Sequence, residues 1–155
     1  MLTVDIPGRG EQRYAHLLLD YNGTIALDGT LVEGVAQRLE ALSRQVHIAV
    51  ITADTHGTAA RACAGLPVEV MTYPTAEVGK IKGETAARLT GGVIAVGNGF
   101  NDVQMAEQAD LAVCVMGPEG CYGPLMARCD VVVPSILDAL DLLLKPNRLR
   151  ATLRT

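Results

Sequence analysis

The segment LLLDYNGT, residues 17–24, joins a short apolar run to a polar turn. Similar apolar, β-branched runs recur along the chain and alternate with alanine-rich amphipathic stretches, which is the pattern of a parallel sheet with crossover helices. In open α/β sheets, ligands bind beyond the carboxyl ends of the strands. The sequence therefore predicts an α/β fold in which Asp20 lies at that edge, where Gly23 lets the backbone turn close to a ligand. Asn22-Gly23 is also an ordinary turn pair, so a purely structural interpretation of this segment stays open.

The alternating pattern predicts six core strands and six helices in one domain over residues 1–155. Residues 2–6 and 12–16 flank the turn 7–10 and predict an N-terminal β-hairpin that leads into the sheet. The predicted strands cover residues 15–19, 46–52, 68–71, 93–96, 111–115 and 131–133. The predicted helices cover residues 35–44, 58–63, 82–89, 101–108, 121–128 and 136–144.

Composition excludes several classes of function. The net charge is −4, there is one Phe and no Trp, and basic residues form only a mild cluster near residues 148–154, so we expect no nucleic-acid partner. Apolar stretches fall far short of the roughly 20 residues that span a bilayer, and no secretory signal precedes them. We expect a soluble, cytoplasmic protein without a membrane partner. The cysteines show no CxxC spacing and are interpreted as reduced packing thiols, not a zinc site: Cys63, Cys114, Cys121 and Cys129.

Two further strand ends carry polar residues. The segment AVITADT, residues 49–55, places Thr52 at the same edge of the sheet as Asp20, where its hydroxyl could bind a phosphate oxygen. A threonine there is also a common turn residue, and Asp54 or Thr55 could cap the next helix. IAVGNGFNDVQM, residues 94–105, places glycines on both sides of Asn98. Asp102, in the first helical turn that follows, can cap that turn or hold a divalent cation directly or through water.

Two lysines, Lys80 and Lys82, stand near a predicted helix start, where the helix dipole disfavours a cation. A surface lysine is usually only solvated. One directed across the sheet edge would neutralise both Asp20 and a bound phosphate, as phosphoryl transfer requires.

Taken in chain order, these four segments resemble the motifs of the haloacid dehalogenase (HAD) superfamily. DYNGT, residues 20–24, resembles its nucleophile motif D-x-D-G-T, and GNGFND, residues 97–102, resembles its metal-binding motif G-D-G-x-N-D. Thr52 and Lys82 match its phosphate-binding Ser/Thr and its third-motif lysine. The likeness spans about residues 15–144 and is nearest to P-type ATPase phosphorylation domains and to stand-alone, soluble P-type-ATPase-like proteins. Both TADTHGTA, residues 52–59, and KGETAARL, residues 82–89, follow that pattern, and the second favours Lys82 over Lys80.

The resemblance implies a three-layer, Rossmann-like, mostly parallel sheet with helices on both faces and no cap domain. It also implies a magnesium-dependent phosphohydrolase or phosphotransferase that works through an aspartyl phosphate on Asp20. The implied catalytic residues are Asp20, Asn22 and Lys82. The implied phosphate-binding residues are Asp20, Gly23, Thr52, Ala53 and Lys82. The implied Mg²⁺ ligands are Asp20, the backbone carbonyl of Asn22, Asn98 and Asp102.

The sequence departs from the superfamily pattern at two positions. Asn22 stands where phosphatases carry a second aspartate, the general acid and base, and an amide cannot transfer that proton. P-type ATPases have threonine there, which fits a long-lived phosphoenzyme. Asn98 stands where the family usually has an aspartate ligand to magnesium, so we expect weaker cation binding. Both departures favour a rival hypothesis, a regulatory or binding module that keeps the phosphate site with little or no catalysis.

The spacing leaves no room for a cap, because only 31 residues separate Asp20 from Thr52. An open site predicts a phosphorylated small molecule or a phosphoprotein as the partner, or a homo-oligomer that supplies the lid. A response-regulator receiver is a third hypothesis, but it expects an acidic pair at the first strand and its acceptor at the third, and this sequence has neither.

Overall fold

A parallel six-stranded sheet forms the centre of the protein, as the computed structural model shows for residues 1–54 and 56–155. The strands are β1 (Leu2–Ile6), β2 (Gly10–Tyr14), β3 (His16–Asp20), β4 (Ala26–Leu27), β5 (Thr30–Leu31), β6 (His47–Thr52), β7 (Glu69–Thr72), β8 (Val93–Gly97), β9 (Leu111–Val115) and β10 (Val131–Val133). The central sheet has the order β10-β9-β8-β3-β6-β7, and all of its pairings are parallel. Its inner strands are continuous runs of buried apolar residues, as expected for a sheet covered on both faces.

Helices cover both faces of this sheet, which confirms the predicted α/β class. Alternate side chains of β3 enter different cores: Leu17 and Leu19 pack on one face, while Leu18 packs on the other with Ala86 and Met105. The helices are α1 (Val35–Leu42), α2 (Thr58–Ala62), α3 (Val78–Arg88), α4 (Val103–Gln108), α5 (Gly123–Met126), α6 (Ile136–Leu144) and α7 (Pro146–Leu153), with a 3₁₀ turn (Phe100–Asp102) before α4.

The chain reverses its direction across the sheet at β3. It runs outward through β6 to β7, then returns to β8 on the opposite side of β3. Asp20 pairs with Ile51 and Leu19 pairs with Val96, so Thr52 and Asn98 follow just beyond Asp20 on the two neighbouring strands. A crevice at the carboxyl ends is expected at such a switch point. The topology thus brings all three predicted strand ends together.

The predicted N-terminal hairpin is confirmed, but β1 and β2 form an antiparallel sheet of their own and do not join the central sheet. The inward side of β1, with Leu2, Val4 and Ile6, belongs to the same core as Leu149 and Leu153 of α7. The sequence pattern did not predict α7, because two leucines four residues apart are a weak helical signal. Its burial against the distant hairpin stabilises it.

Helix α3 begins four residues earlier than predicted, so the placement of Lys82 at a helix start is wrong. Gly79 and Gly83 lower the helix propensity of this segment. They also allow close packing: a Cβ on Gly83 would lie 2.7 Å from the Cβ of Gln104 on α4. Val78, Lys82 and Ala86 form the buried stripe of the helix. Tertiary packing therefore outweighs the propensity of the glycines, and Lys82 lies in the second turn of α3.

The structure pairs Cys114 with Cys121 in a disulfide, so the prediction of reduced thiols is wrong for these two. The chain turns back after β9 and brings residue 121 to the end of that strand, a local reversal that cysteine spacing alone did not reveal. Cys63 is a buried free thiol and Cys129 a half-buried one. Across the described ranges, no helix has both the length and the apolar character needed to cross a membrane.

Candidate active site

A cleft of about 450 Å³ opens at the carboxyl ends of β3, β6 and β8. Asp20, Thr52 and Asn98 all line it, which confirms that the three strand ends converge on one cleft, and Asn22 and Ala53 line it too. Gly23, predicted to bind phosphate, is not among the lining residues. The full lining consists of Asp20, Asn22, Thr52, Ala53, Asn98, Gly99, Phe100, Asn101 and Glu119.

Beneath the cleft, Asp20, Lys82 and Asp102 form a buried triad. The Nζ atom of Lys82 donates to Asp20 Oδ1 at 2.6 Å and to Asp102 Oδ1 at 2.8 Å. Lys82 is fully buried, and Asp20 keeps 6% of its surface exposed, toward the cleft that it lines. Lys80, the alternative lysine, has a side chain 62% exposed that pairs with Glu84. The lysine in contact with Asp20 is therefore Lys82.

Burial and mutual contact shift the pKa values of Asp20 and Lys82. Desolvation, helped by the charge of Asp102, raises the pKa of Asp20 to about 6, against the lowering effect of Lys82 and Thr24. Desolvation alone would lower the pKa of Lys82, but the charges and hydrogen bonds of Asp20 and Asp102 outweigh it and raise that pKa above its ordinary value. Lys82 therefore stays a cation between the two carboxyl groups.

Asp102 organises the loop after β8. Its Oδ1 accepts from Lys82, and its Oδ2 accepts from the backbone N–H groups of Asn98 and Gly99, each at 3.0 Å. Any Cβ on Gly97 would collide with this carboxylate. The predicted capping role of Asp102 is confirmed, whereas its role toward a cation stays a prediction.

Thr24 links the end of β3 to this loop, and the sequence interpretation had assigned it no role. Its Oγ1 lies 3.0 Å from Asp20 Oδ2 and 3.2 Å from Asn98 Oδ1, so its single hydrogen can serve either oxygen. Its position in the DYNGT motif was the available signal. The contacts distinguish the two Asp20 oxygens: Oδ1 accepts a hydrogen bond from Lys82, and Oδ2 faces the Thr24 hydroxyl.

Thr52 is held at the end of β6 by the backbone around it. Its Oγ1 accepts from the Asp54 N–H at 3.2 Å, an arrangement that leaves the hydroxyl hydrogen to donate into the cleft. Asp54 also accepts from the N–H groups of His56 and Ala59, which confirms the predicted cap by Asp54. The alternative cap, Thr55, lies outside the described residues.

Four residues of the cleft were not predicted as part of the site: Gly99, Phe100, Asn101 and Glu119. Glu119 lines the cleft from the loop that follows β9. Phe100, 74% exposed, stands at its rim in an edge-on contact with Tyr122, with ring centroids 5.3 Å apart. Gly99, Phe100 and Asn101 belong to the GNGFND segment, where the sequence interpretation did not name them as site residues. Glu119 belongs to no motif, because a loop residue can be assigned to the site only once the fold brings it there.

The donor atoms of the cleft suit a hard cation. Asp20 Oδ2 and Asn98 Oδ1 converge on one hydroxyl, and oxygen ligands of this type are those that Mg²⁺ takes in proteins. Within the described ranges, no group of three or more His, Cys, Asp or Glu side chains is arranged to hold a metal. The absence of such a group is explained by two features: positions 22 and 98 carry amides, and a lysine lies inside the triad. The donor set therefore fits a magnesium ion in kind but supplies little charge.

Comparison with curated proteins finds two relatives in Methanocaldococcus jannaschii. The chain is 52% identical over 62 residues to the uncharacterized protein MJ0073, a match that covers 40% of this chain and 67% of that protein. It is 51% identical over 39 residues to the uncharacterized protein MJ0072, covering 25% of this chain and 89% of that protein. No protein-family model matches the chain.

Solved structures share its fold at low sequence identity. A putative 3-deoxy-D-manno-octulosonate 8-phosphate phosphatase from Vibrio cholerae superposes with TM-score 0.72 at 17% identity, covering 96% of this chain and 97% of that one. The phosphatase of that name from Moraxella catarrhalis, in complex with magnesium, phosphate and the sugar acid, has TM-score 0.68 at 14% identity and covers 91% and 94%. A zinc-transporting PIB-type ATPase has TM-score 0.64 at 20% identity, covering 79% of this chain and 20% of that one. The chain therefore belongs to the same family as MJ0073 and MJ0072, and it has the fold of the HAD superfamily.

Proposed function

We propose that the protein is a phosphohydrolase or phosphotransferase in which Asp20 attacks phosphorus and forms an aspartyl phosphate. The observation that carries the proposal is the buried triad below the cleft. Asp20 is the only one of its three members to line the cleft, and a fully buried lysine fixes its Oδ1 at 2.6 Å. A nucleophile held in one orientation reacts with much less loss of entropy than a mobile one.

The other residues of the cleft fit a phosphoryl group. The Thr52 hydroxyl and the backbone N–H of Ala53 are the proposed donors to its oxygens, whereas the Gly23 N–H donates to the Ala26 carbonyl. Lys82 offsets the negative charge that accumulates as the phosphoryl group meets the carboxylate. We infer that the substrate is a phosphorylated small molecule or a phosphoprotein, because the cleft is open to solvent.

The proposal includes a magnesium ion. When bound, Mg²⁺ would neutralise charge on the transferring phosphoryl group. Asp20, the backbone carbonyl of Asn22 and the Asn98 amide are the proposed ligands, and Asp102 takes part through water or through the loop that it organises.

Hydrolysis of the aspartyl phosphate should be slow. Asn22 lines the cleft two residues after the nucleophile, where it can donate a hydrogen bond but cannot protonate a leaving group or deprotonate water. The same observation favours the second candidate, a module that binds phosphate and turns over little or not at all. The two candidates differ in whether Asp20 becomes phosphorylated.

A phosphoryl mimic tests the site. Beryllium fluoride with Mg²⁺ should raise the melting temperature of the wild type and leave that of Asp20→Asn unchanged. At 100 times its Kd a ligand stabilises by about 2.7 kcal/mol, which for a chain of this length is roughly 5–10 °C. Asp5→Asn, the same change on the exposed side of β1, is the matched control and should respond as the wild type does.

Phosphoenzyme formation from acetyl phosphate and hydrolysis of para-nitrophenyl phosphate then separate the two candidates. The enzyme should form an acid-stable, hydroxylamine-sensitive adduct that Asp20→Asn lacks. If beryllium fluoride raises the melting temperature but neither the adduct nor turnover is detected, the protein is the binding module. No shift in the wild type would contradict both.

A further inference from the structure

Glu119 is an acidic residue of the cleft that neither the sequence motifs nor the proposed reaction has used. The residues that line the cleft include two carboxylates, Asp20 and Glu119. Asn22 and Asn98, where the superfamily carries aspartates, contribute only amides. Glu119 comes from a different strand end, the loop after β9, and reaches the cleft from the side opposite Thr52 in the sheet order.

The backbone holds Glu119 in this place. Residues 117–120 form a turn closed by a hydrogen bond of 2.8 Å from the Gly120 N–H to the Gly117 carbonyl, with Pro118 in the second position that such turns favour. One hydrogen bond ties the turn to Asn98, and a second ties the residues just after it: Asn98 Nδ2 donates to the Gly120 carbonyl at 3.2 Å, and the Tyr122 N–H donates to the Asn98 carbonyl at 2.8 Å. The disulfide fixes residue 121 to the end of β9.

The Glu119 carboxylate lies against the Asp20 motif itself. A Cβ on Gly23 would collide with Glu119 Oε2 and would lie 2.7 Å from Asn98 Nδ2. One carboxylate oxygen and the Asn98 amide therefore share the small space that the missing side chain of Gly23 leaves open. This glycine has φ +77°, a conformation that also disfavours any larger residue.

Charge distinguishes Glu119 from Asp20. Lys82 compensates Asp20 and Asp102 inside the triad, whereas in the described part of the chain Glu119 makes no salt bridge. A divalent cation that enters the cleft meets in Glu119 a carboxylate with no cationic partner. Cation affinity in oxygen sites rises with the number of charged ligands.

We propose that Glu119 is a ligand of the divalent cation, together with Asp20, and supplies the charge that the amides at positions 22 and 98 lack. This assignment rests on the metal-dependent function proposed above. It also explains why the loop after β9 is tied to Asn98 directly after Glu119, through Gly120 and Tyr122: the ties keep a ligand from another strand end within reach of the site.

Binding of Mn²⁺, followed by the electron paramagnetic resonance of the free ion, tests the assignment without any turnover. Glu119→Gln should weaken binding by about 10-fold or more, the effect expected for a residue that supports a metal site. Asn98→Asp should tighten it. In the Asn98→Asp background, Glu119→Gln should cost less, because position 98 now carries a charge. Glu40→Gln, the same change on the exposed surface of α1, should bind as the wild type does.

The outcomes separate this assignment from the proposed function. If Glu119→Gln binds Mn²⁺ like the wild type while Asp20→Asn binds it more weakly, Glu119 is no ligand and the metal-dependent site stands. If the folded wild type binds no Mn²⁺, both fail. Equal losses for Glu119→Gln in the two backgrounds would indicate that Glu119 acts on loop structure and would overturn the shared-charge account. Circular dichroism melts confirm that each variant is folded.

Discussion

Replacing Asn22 by aspartate should raise the hydrolysis of a generic phosphomonoester by about 10²- to 10⁴-fold, the usual contribution of a positioned general acid and base. This range corresponds to about 3–5 kcal/mol of activation barrier. Asn22 is exposed and lines the cleft, so in the proposed reaction a carboxylate there would meet both the leaving group and the water that attacks the aspartyl phosphate. The substitution is nearly isosteric, and Lys82 and the cation offset the added negative charge.

The rates are measured with para-nitrophenyl phosphate and saturating Mg²⁺. Asn101→Asp is the matched control, because it adds the same charge at another amide of the same cleft and should give no comparable gain. Asp20→Asn combined with Asn22→Asp should be inactive, since the acid and base then have no nucleophile to serve. If Asn22→Asp is no faster than the wild type while Asp20→Asn abolishes the wild-type rate, another group activates water. The proposed role of Asn22 would then be wrong.

Lys82→Met should destabilise the fold by about 3–5 kcal/mol, the range measured when one partner of a buried ion pair is removed. Methionine fills much of the volume of lysine, so packing accounts for little of this loss. The cause is that Asp20 and Asp102 remain buried without their cation. Activity should disappear as well, because the charge that meets the phosphoryl group is gone.

The loss should also depend on pH. Burial already raises the pKa of Asp20 from its ordinary value of 3.8 to about 6, and removing Lys82 raises that pKa further. A carboxyl group whose pKa is higher in the folded state than in the unfolded state favours folding at low pH, where it is protonated. This contribution to the free energy of unfolding is lost as the pH rises from the unfolded-state pKa through the folded-state pKa. The difference between Lys82→Met and the wild type should therefore be larger at pH 8 than at pH 5.

Urea denaturation at both pH values provides the measurement. Lys80→Met is the matched control. The Lys80 side chain is largely exposed, so this substitution should change the free energy of unfolding by no more than about 0.5 kcal/mol. Adding Asp20→Asn to Lys82→Met should restore part of the stability, since one buried charge is removed. Equal stabilities for the variants at positions 80 and 82 would show that the triad does not hold the fold together.

The sequence correctly predicts the strands and helices that are determined by residues close together in the chain. The strands Leu111–Val115 and Val131–Val133 and the helix Ile136–Leu144 have the predicted bounds, because each is an apolar segment ended by polar or turn residues. The convergence of Asp20, Thr52 and Asn98 was predictable for a related reason: parallel strands end at one edge, so residues at their carboxyl ends must meet.

The features that sequence did not predict depend on contacts between distant segments. Helix α7 is stabilised by the hairpin formed at the other end of the chain, and the start of α3 depends on glycines that pack against α4. Glu119 reaches the cleft because the chain turns back after β9 and is hydrogen-bonded to Asn98 through Gly120 and Tyr122. The burial of Lys82 did have a signal in the sequence. Val78, Lys82 and Ala86 follow a four-residue spacing, which places a lysine on the buried stripe of a helix. This signal would have been stronger if the predicted helix had begun at the correct residue.

The position of the Asp102 carboxylate limits the substitutions that members of this family can accept nearby. Position 97 has no space for a side chain, because even a methyl group would enter the carboxylate that anchors the loop. At position 99 a Cβ would meet its nearest neighbour, Asn101 Oδ1, at 3.4 Å, and the backbone there has a φ of −114°, which any residue can adopt. Two glycines only two residues apart thus differ in the substitutions they tolerate. Relatives should retain the first as long as they retain Asp102, whereas alanine at the second would not collide with the atoms of the loop.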